Sequence, residues 1–146
     1  MIEVLVVLAL ALIVGGFALM VSFDAYRHAS YHADRASLIA ALEHARAESI
    51  DNVCDGAVCA SSAAHGVSIQ DDRYVIFQGP EYASRLVDAD ESIDANPAIA
   101  HSGLSEVVFA TSSGDVMDTG TIVLADASGI TSTISIGSEG QIIWSN

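Results

Sequence analysis

Met1-Ile2-Glu3-Val4-Leu5-Val6-Val7-Leu8-Ala9-Leu10 opens the chain, and the fold follows from how this run is read. No residue from Val4 to Phe23 carries a charge. A helix rises ~1.5 Å per residue, so these positions are expected to form a helix that just spans a hydrocarbon core of roughly 30 Å. Glu3 does not belong in a plain membrane anchor. An ionised side chain at full depth in hydrocarbon costs about 2.5 to 3.5 kcal/mol, which predicts a cationic partner for this carboxylate. A signal peptide is the poorer reading, because the run lacks basic residues and its helicity is expected to continue past the apolar part. Gly15 and Gly16 fall mid-run, where glycine weakens a helix by up to ~1 kcal/mol relative to alanine. They mark either a small-residue notch for close helix packing or a weak point in the helix.

From Asp24 the pattern turns amphipathic. Leu38, Leu42, Ala45 and Ser49 recur at helical spacing, and Ile39 and Ala41 widen the stripe. The helix is therefore expected to reach Ile50 with one face covered by a domain. Arg27, His28, His32, Arg35, Glu43, Arg46 and Glu48 occupy the remaining positions. His28 and His32 lie one turn apart, but no acidic or thiol ligand is fixed to their face, so a solvated or subunit-facing surface is expected and no metal. Arg27 and Arg35 are expected to meet Asp24, Asp34 or acidic loops of neighbouring copies.

The opening resembles the mature N-terminus of type IV pilins and of the pseudopilins of type II secretion, through Ile2-Glu3-Val4-Leu5-Val6-Val7 followed by a long apolar helix of the class III type. The resemblance implies that a prepilin peptidase removes a basic leader, and that the new, often N-methylated, amine pairs with Glu3 of a neighbouring subunit. An ammonium and a carboxylate in an apolar bundle compensate each other's desolvation, and either alone is strongly unfavourable there. The resemblance further implies that Ile2, Val4, Leu5, Val6, Val7, Leu8, Leu10, Leu12, Ile13 and Phe17 form the core of a helical filament. The family ordinarily carries an aromatic and a small polar residue ahead of the Met-Ile pair, so either the mature chain includes two such residues before Met1, which is the expectation, or the processing site differs. Many pilins also place a proline a few residues beyond the position of Gly15 and Gly16. Here the first is Pro80, so little melting is expected at Gly15 and Gly16.

Of 146 residues, ~50 are assigned to the helix, which leaves enough for one small domain with a modest core. Nineteen acidic residues against five arginines and no lysine give a formal charge of −14, which repels phosphate backbones and argues against nucleic-acid binding. The mean hydropathy of +0.45 reflects the opening segment. Cys54 and Cys59 close a short loop, too few ligands for zinc and not the Cys-x-x-Cys redox spacing, so a disulfide formed outside the cytoplasm is expected.

Past the helix the period changes to that of strands. Asp51 to Gly66 reads as a loop, and Val67–Ile69 and Arg73–Phe77 as two short strands. Residues 81–104 read as an acidic excursion without the spacing of a calcium loop. Glu106–Ala110, Thr121–Ala125, Ile130–Ile136 and Gln141–Ser145 then read as an antiparallel meander joined by hairpin turns. Its apolar positions Ile122, Leu124, Ile130, Ile134, Ile136, Ile142 and Trp144 are expected to cover the Leu38 and Leu42 face. This C-terminal pattern resembles the sheet of the minor-pseudopilin-like branch of the family.

The expected fold is α+β: residues 1–23 a hydrophobic transmembrane and filament-core helix, and 24–146 a pilin-like globular domain with helix 24–50, loop 51–66 and antiparallel sheet 67–146, the whole lollipop-shaped. No nucleophile elbow or phosphate loop is present, and the five histidines are scattered, so catalysis and cofactors are not expected. The expected role is a structural subunit of a pilus serving adhesion, motility, DNA uptake or surface attachment. Its partners would be copies of itself and other pilins, the inner-membrane assembly machinery and prepilin peptidase, and the membrane before assembly. The alternatives are a secretion pseudopilin and a bitopic membrane protein with a small extracytoplasmic binding domain.

Overall fold

A computed structural model describes residues 2–56 and 62–146, with the backbone alone at 17–24. Helix α1 runs over Ile2–Ile50. It is followed by strands β1 (His65–Ile69), β2 (Arg73–Gln78), β3 (Glu91–Asp94), β4 (Ile99–Gly103), β5 (Glu106–Phe109), β6 (Gly120–Asp126), β7 (Thr131–Ile136) and β8 (Ile142–Ser145), with 3-10 turns at Tyr82–Ser84 and Val87–Ala89. The fold is α+β with antiparallel sheets. The chain divides into two compact units, Met1–Ala33 and Asp34–Asn146.

The first unit is helical, and its large apolar side chains between Ile2 and Val14 are all exposed. Among the described residues, no helix is long and apolar enough to cross a membrane. The side chains of residues 17–24 lie outside the description.

In the second unit, the part of α1 from Asp34 to Ile50 buries Leu38, Ala41, Leu42, Ala45 and Ser49, the stripe read from the sequence. Asp34 continues that stripe and is buried as well, not a surface charge for neighbouring copies.

The sheet differs from expectation. In place of one antiparallel sheet there are two, in the orders β3-β2-β1-β5 and β4-β6-β7-β8. Only β6, β7 and β8 form the meander. Strand β5 pairs instead with β1, Val107 opposite Val67 and Phe109 opposite His65. Ten residues separate β5 from β6, too many for a tight hairpin, and they carry the chain from one sheet to the other. The acidic stretch 81–104 is also no plain excursion, because β3 and β4 lie in it. Strand β3 is an edge strand whose Glu91, Ser92 and Asp94 face solvent, so it lacks the apolar alternation by which strands are recognised. The loop after α1 is shorter than expected, since β1 begins at His65.

Val67, Tyr74, Phe77, Val107 and Phe109 from the first sheet and Ile122, Leu124, Ile134 and Ile136 from the second fill the core. Ile130 and Ile142 are only half-buried, and Trp144 lies outside the core altogether. Its ring is stacked under the Arg35 guanidinium at 4.0 Å, which also donates to Ser132 Oγ and Asn146 Oδ1 at 3.1 and 2.5 Å. Gly103 ends β4 with φ +98, and a Cβ there would lie 2.0 Å from the Thr121 carbonyl oxygen, so no other residue fits without moving β6.

One hydroxyl holds the end of α1. Ser49 Oγ, fully buried, donates to the Phe109 carbonyl at 3.1 Å and accepts the His65 amide N–H at 2.9 Å, tying the last turn to β5 and β1. Its own carbonyl, one of those a helix end leaves open, accepts from Ser112 N at 2.8 Å. Ser49→Ala leaves a buried N–H without this partner and should lower unfolding stability by about 1 to 3 kcal/mol. Urea titration checks this, and an unchanged midpoint would show that the hydroxyl bears no such load.

Candidate functional site

Three features have chemistry to offer, each inside one unit. The first is the exposed start of α1. Ile2, Val4, Leu5, Val6, Val7, Leu8, Leu10, Leu12 and Ile13 are between 53% and 79% exposed, and they lie on every side of the helix. A soluble helix keeps such side chains on one buried stripe, so an apolar circumference marks a surface that something covers. Glu3 sits in the first turn, and with Val4, Val7 and Leu8 it outlines a shallow depression. There the helix dipole favours a carboxylate by about 0.3 to 1 kcal/mol, less than the cost of sinking it into hydrocarbon. Gly15 and Gly16 leave the helix backbone unbroken and have open space around them. The Phe17 side chain, assigned to the same core, lies outside the described residues.

The second feature is a buried polar cluster that joins three elements of the Asp34–Asn146 unit. Tyr74 on β2 donates its hydroxyl to Asp34 Oδ2 on α1 at 2.8 Å. His101 Nε2 on β4 lies 2.7 Å from the same hydroxyl oxygen and 3.5 Å from Asp34 Oδ2. The other Asp34 oxygen accepts the Asn96 amide at 2.8 Å. Burial opposes ionisation of Asp34, but hydrogen bonds from His101, the Asn96 amide and Tyr74 outweigh it and hold the carboxyl below its ordinary range. Burial, with the hydrogen bond to Asp34, pushes the Tyr74 phenol far up. The ionised carboxylate only accepts and the phenol has one proton to give, so the network assigns the His101 proton to Nε2, donating to the Tyr74 oxygen. That leaves Nδ1 as a buried nitrogen without a partner.

A third group borders the end of α1. His65 Nε2 is 4.0 Å from Glu48 Oε2, while His44 lies 3.6 Å from Glu48 and 3.7 Å from Glu91. Burial lowers the affinity of His65 for a proton, against the opposing pull of Glu48. The two ring nitrogens of His44 face different carboxylates. Among the described residues no group of three or more His, Cys, Asp or Glu side chains is placed to hold a metal ion.

Cys54 is disulfide-bonded. Its expected partner, Cys59, lies outside the described residues. Gln78 steadies this loop from β2, accepting the Asp55 amide at 2.7 Å and donating to the Asp55 carbonyl at 3.3 Å.

No match was found among protein-family models, curated proteins or solved structures. The reading of this chain therefore rests on its own residues.

Sequence reasoning located the apolar helix and Glu3 but missed the Asp34, Tyr74 and His101 cluster. Its members are far apart in the chain and each is unremarkable where it stands. The one available signal was Asp34 falling on the same helical stripe as Leu38 and Leu42.

Both lowered affinities act in one direction. The unfolded chain binds a proton at His65 near pH 6.5 and at Asp34 near pH 4, where the folded chain resists, so stability falls as pH drops through each range. Urea midpoints measured from pH 7.5 to 3 should decline in two stages, and His65→Gln should remove the upper stage alone. A flat profile between pH 7 and 5 in the unsubstituted chain would contradict the His65 assignment.

Proposed function

We propose that this chain is a non-enzymatic structural subunit of a type IV pilus-like extracellular filament, assembled through the start of α1. The observation that carries the reading is the apolar circumference from Ile2 to Val14 with one carboxylate, Glu3, at its tip. Covering about ten large apolar side chains, at roughly 1.5 to 3 kcal/mol each relative to water, supplies a term of tens of kcal/mol. Much of it offsets the entropy of association and the loss of lipid contacts. The remainder still far exceeds what an acidic folded unit gains from rim contacts. On this reading the precursor waits in the cytoplasmic membrane, and assembly machinery moves it into a helical bundle after a prepilin peptidase has freed its amine.

In that bundle Glu3 accepts the amine of a neighbouring subunit, and the long helix packs by its second half on the folded unit that decorates the outside. The resemblance of the opening residues to pilins supports the same role. A pseudopilin shares the opening, so imaging distinguishes the two: surface filaments made mostly of this chain favour the pilin.

Glu3→Gln and Glu3→Ala should leave the folded unit intact by circular dichroism and lower filament yield by about tenfold or more, because an unpaired ammonium is left in an apolar core. Normal yield from either variant would remove the pairing role. Deleting residues 1–23 should give a monomer in sedimentation experiments at all practical concentrations. Filaments from that truncated chain would show that the sheets polymerise it.

A further inference from the structure

We infer that the exposed Tyr26–Arg27 turn of α1 in one copy docks into an acidic groove on the Asp34–Asn146 unit of a second copy. The inference rests on the filament reading above and specifies one of its contacts.

The arginines are the chain's only cationic side chains at neutral pH apart from any protonated histidine. Arg35 is held by Ser132, Asn146 and the Trp144 ring. Arg46 donates to the Glu139 carbonyl at 3.0 Å. Arg73 pairs with Asp72 at 2.7 Å, and Arg85 with Asp90 at 2.8 Å while it stacks on Tyr82. Among the described residues, Arg27 alone of the five is exposed with no hydrogen bond, ion pair or ring contact. Copies that each carry a formal charge of −14 repel one another, so an attractive ionic contact between them needs a free cation on one side. Arg27 is the one this chain supplies. Tyr26 beside it is 74% exposed, an aromatic ring with nothing packed on most of its surface.

The groove supplies the complementary chemistry. It has a volume of about 730 Å³ and is bordered by Glu81, Glu106 and Asp118, with no arginine or histidine among its lining residues. Glu106 uses one oxygen to accept the Tyr82 amide at 2.8 Å, which fixes its carboxylate and leaves the other oxygen free to pair. Met117, on the rim, is 88% exposed, the largest exposure among the large apolar side chains of the molecule's described residues. A guanidinium offers five donors in a planar fork suited to carboxylates, and a thioether sulfur packs favourably against an aromatic ring. Arg27 against Glu81, Glu106 and Asp118, with Tyr26 against Met117, is therefore a match of two adjacent side chains to two adjacent kinds of surface. Arg35, the other arginine expected to reach neighbours, is already engaged within its own chain.

The absence of lysine gives a direct test. Arg27→Lys introduces the sole lysine amine, so carbodiimide coupling in filaments of the full-length chain joins that amine to whichever carboxylate touches it. With isotopically heavy and light copies mixed before assembly, mass spectrometry should find heavy-to-light peptides linking position 27 to Glu81, Glu106 or Asp118. Links to other carboxylates only, or none between copies, would overturn the docking. In parallel, Arg27→Glu should lower filament yield about tenfold, and Asp118→Arg added to it should recover most of the loss. Full yield from Arg27→Glu alone would overturn the docking while leaving the filament reading intact. Failure of the unsubstituted chain to form filaments, with the heavy-to-light links still present in membrane extracts, would instead overturn the filament reading and support the contact.

Discussion

The Asp34–Asn146 unit depends on keeping one carboxylate charged out of water. Asp34 is buried on the face of α1 that should be apolar, and its desolvation is tolerable only while the Asn96 amide, the Tyr74 hydroxyl and His101 stay in place around it. These partners come from β2, from β4 and from the loop before β4, so satisfying one charge fixes the helix against both sheets at once. Hydrophobic burial alone would not set that geometry, because Leu38 and Leu42 could slide along an apolar surface at little cost. A hydrogen-bonded cluster has one solution.

Ser49 plays the matching part at the other end of the buried stripe. Asp34 and Ser49 lie fifteen residues apart, ~22 Å along a helix, and the buried side chains between them, Leu38, Ala41, Leu42 and Ala45, are apolar. Two polar anchors at the ends of a greasy face set both the rotation and the axial position of the helix. The sheets are pinned where the chain crosses between them, at the Phe109 carbonyl and the turn that follows it.

Much of this was legible in advance. The stripe of Leu38, Leu42, Ala45 and Ser49 gave the buried face correctly, and β2, β6 and β7 declared themselves through alternation closed by turn residues. What escaped was non-local or carried by polar residues. Strand β3 is made of Glu, Ser, Ile and Asp, and only its pairing with β2, Tyr74 opposite Ile93, reveals it. The split into two sheets depends on β5 choosing β1 over its neighbour β6, a choice between partners that local pattern does not encode. Trp144 looked like core and is held outside by a cation from the helix. For the candidate site, Glu3 was conspicuous because a charge in an apolar run breaks a rule. Tyr74 and His101 break none until they are seen together.

Four of the five arginines are engaged within the fold, which limits where a protease can cut the chain. Proteases that cut after basic residues have five bonds to read here, since there is no lysine. At four of them the side chain is tied to a carboxylate, a carbonyl or an aromatic ring and is withheld from a specificity pocket until the fold gives way. Only Arg27 offers its side chain freely. A cut after it would separate the apolar opening of α1 from residues 28–146 and leave the Asp34 cluster and the Ser49 contacts intact.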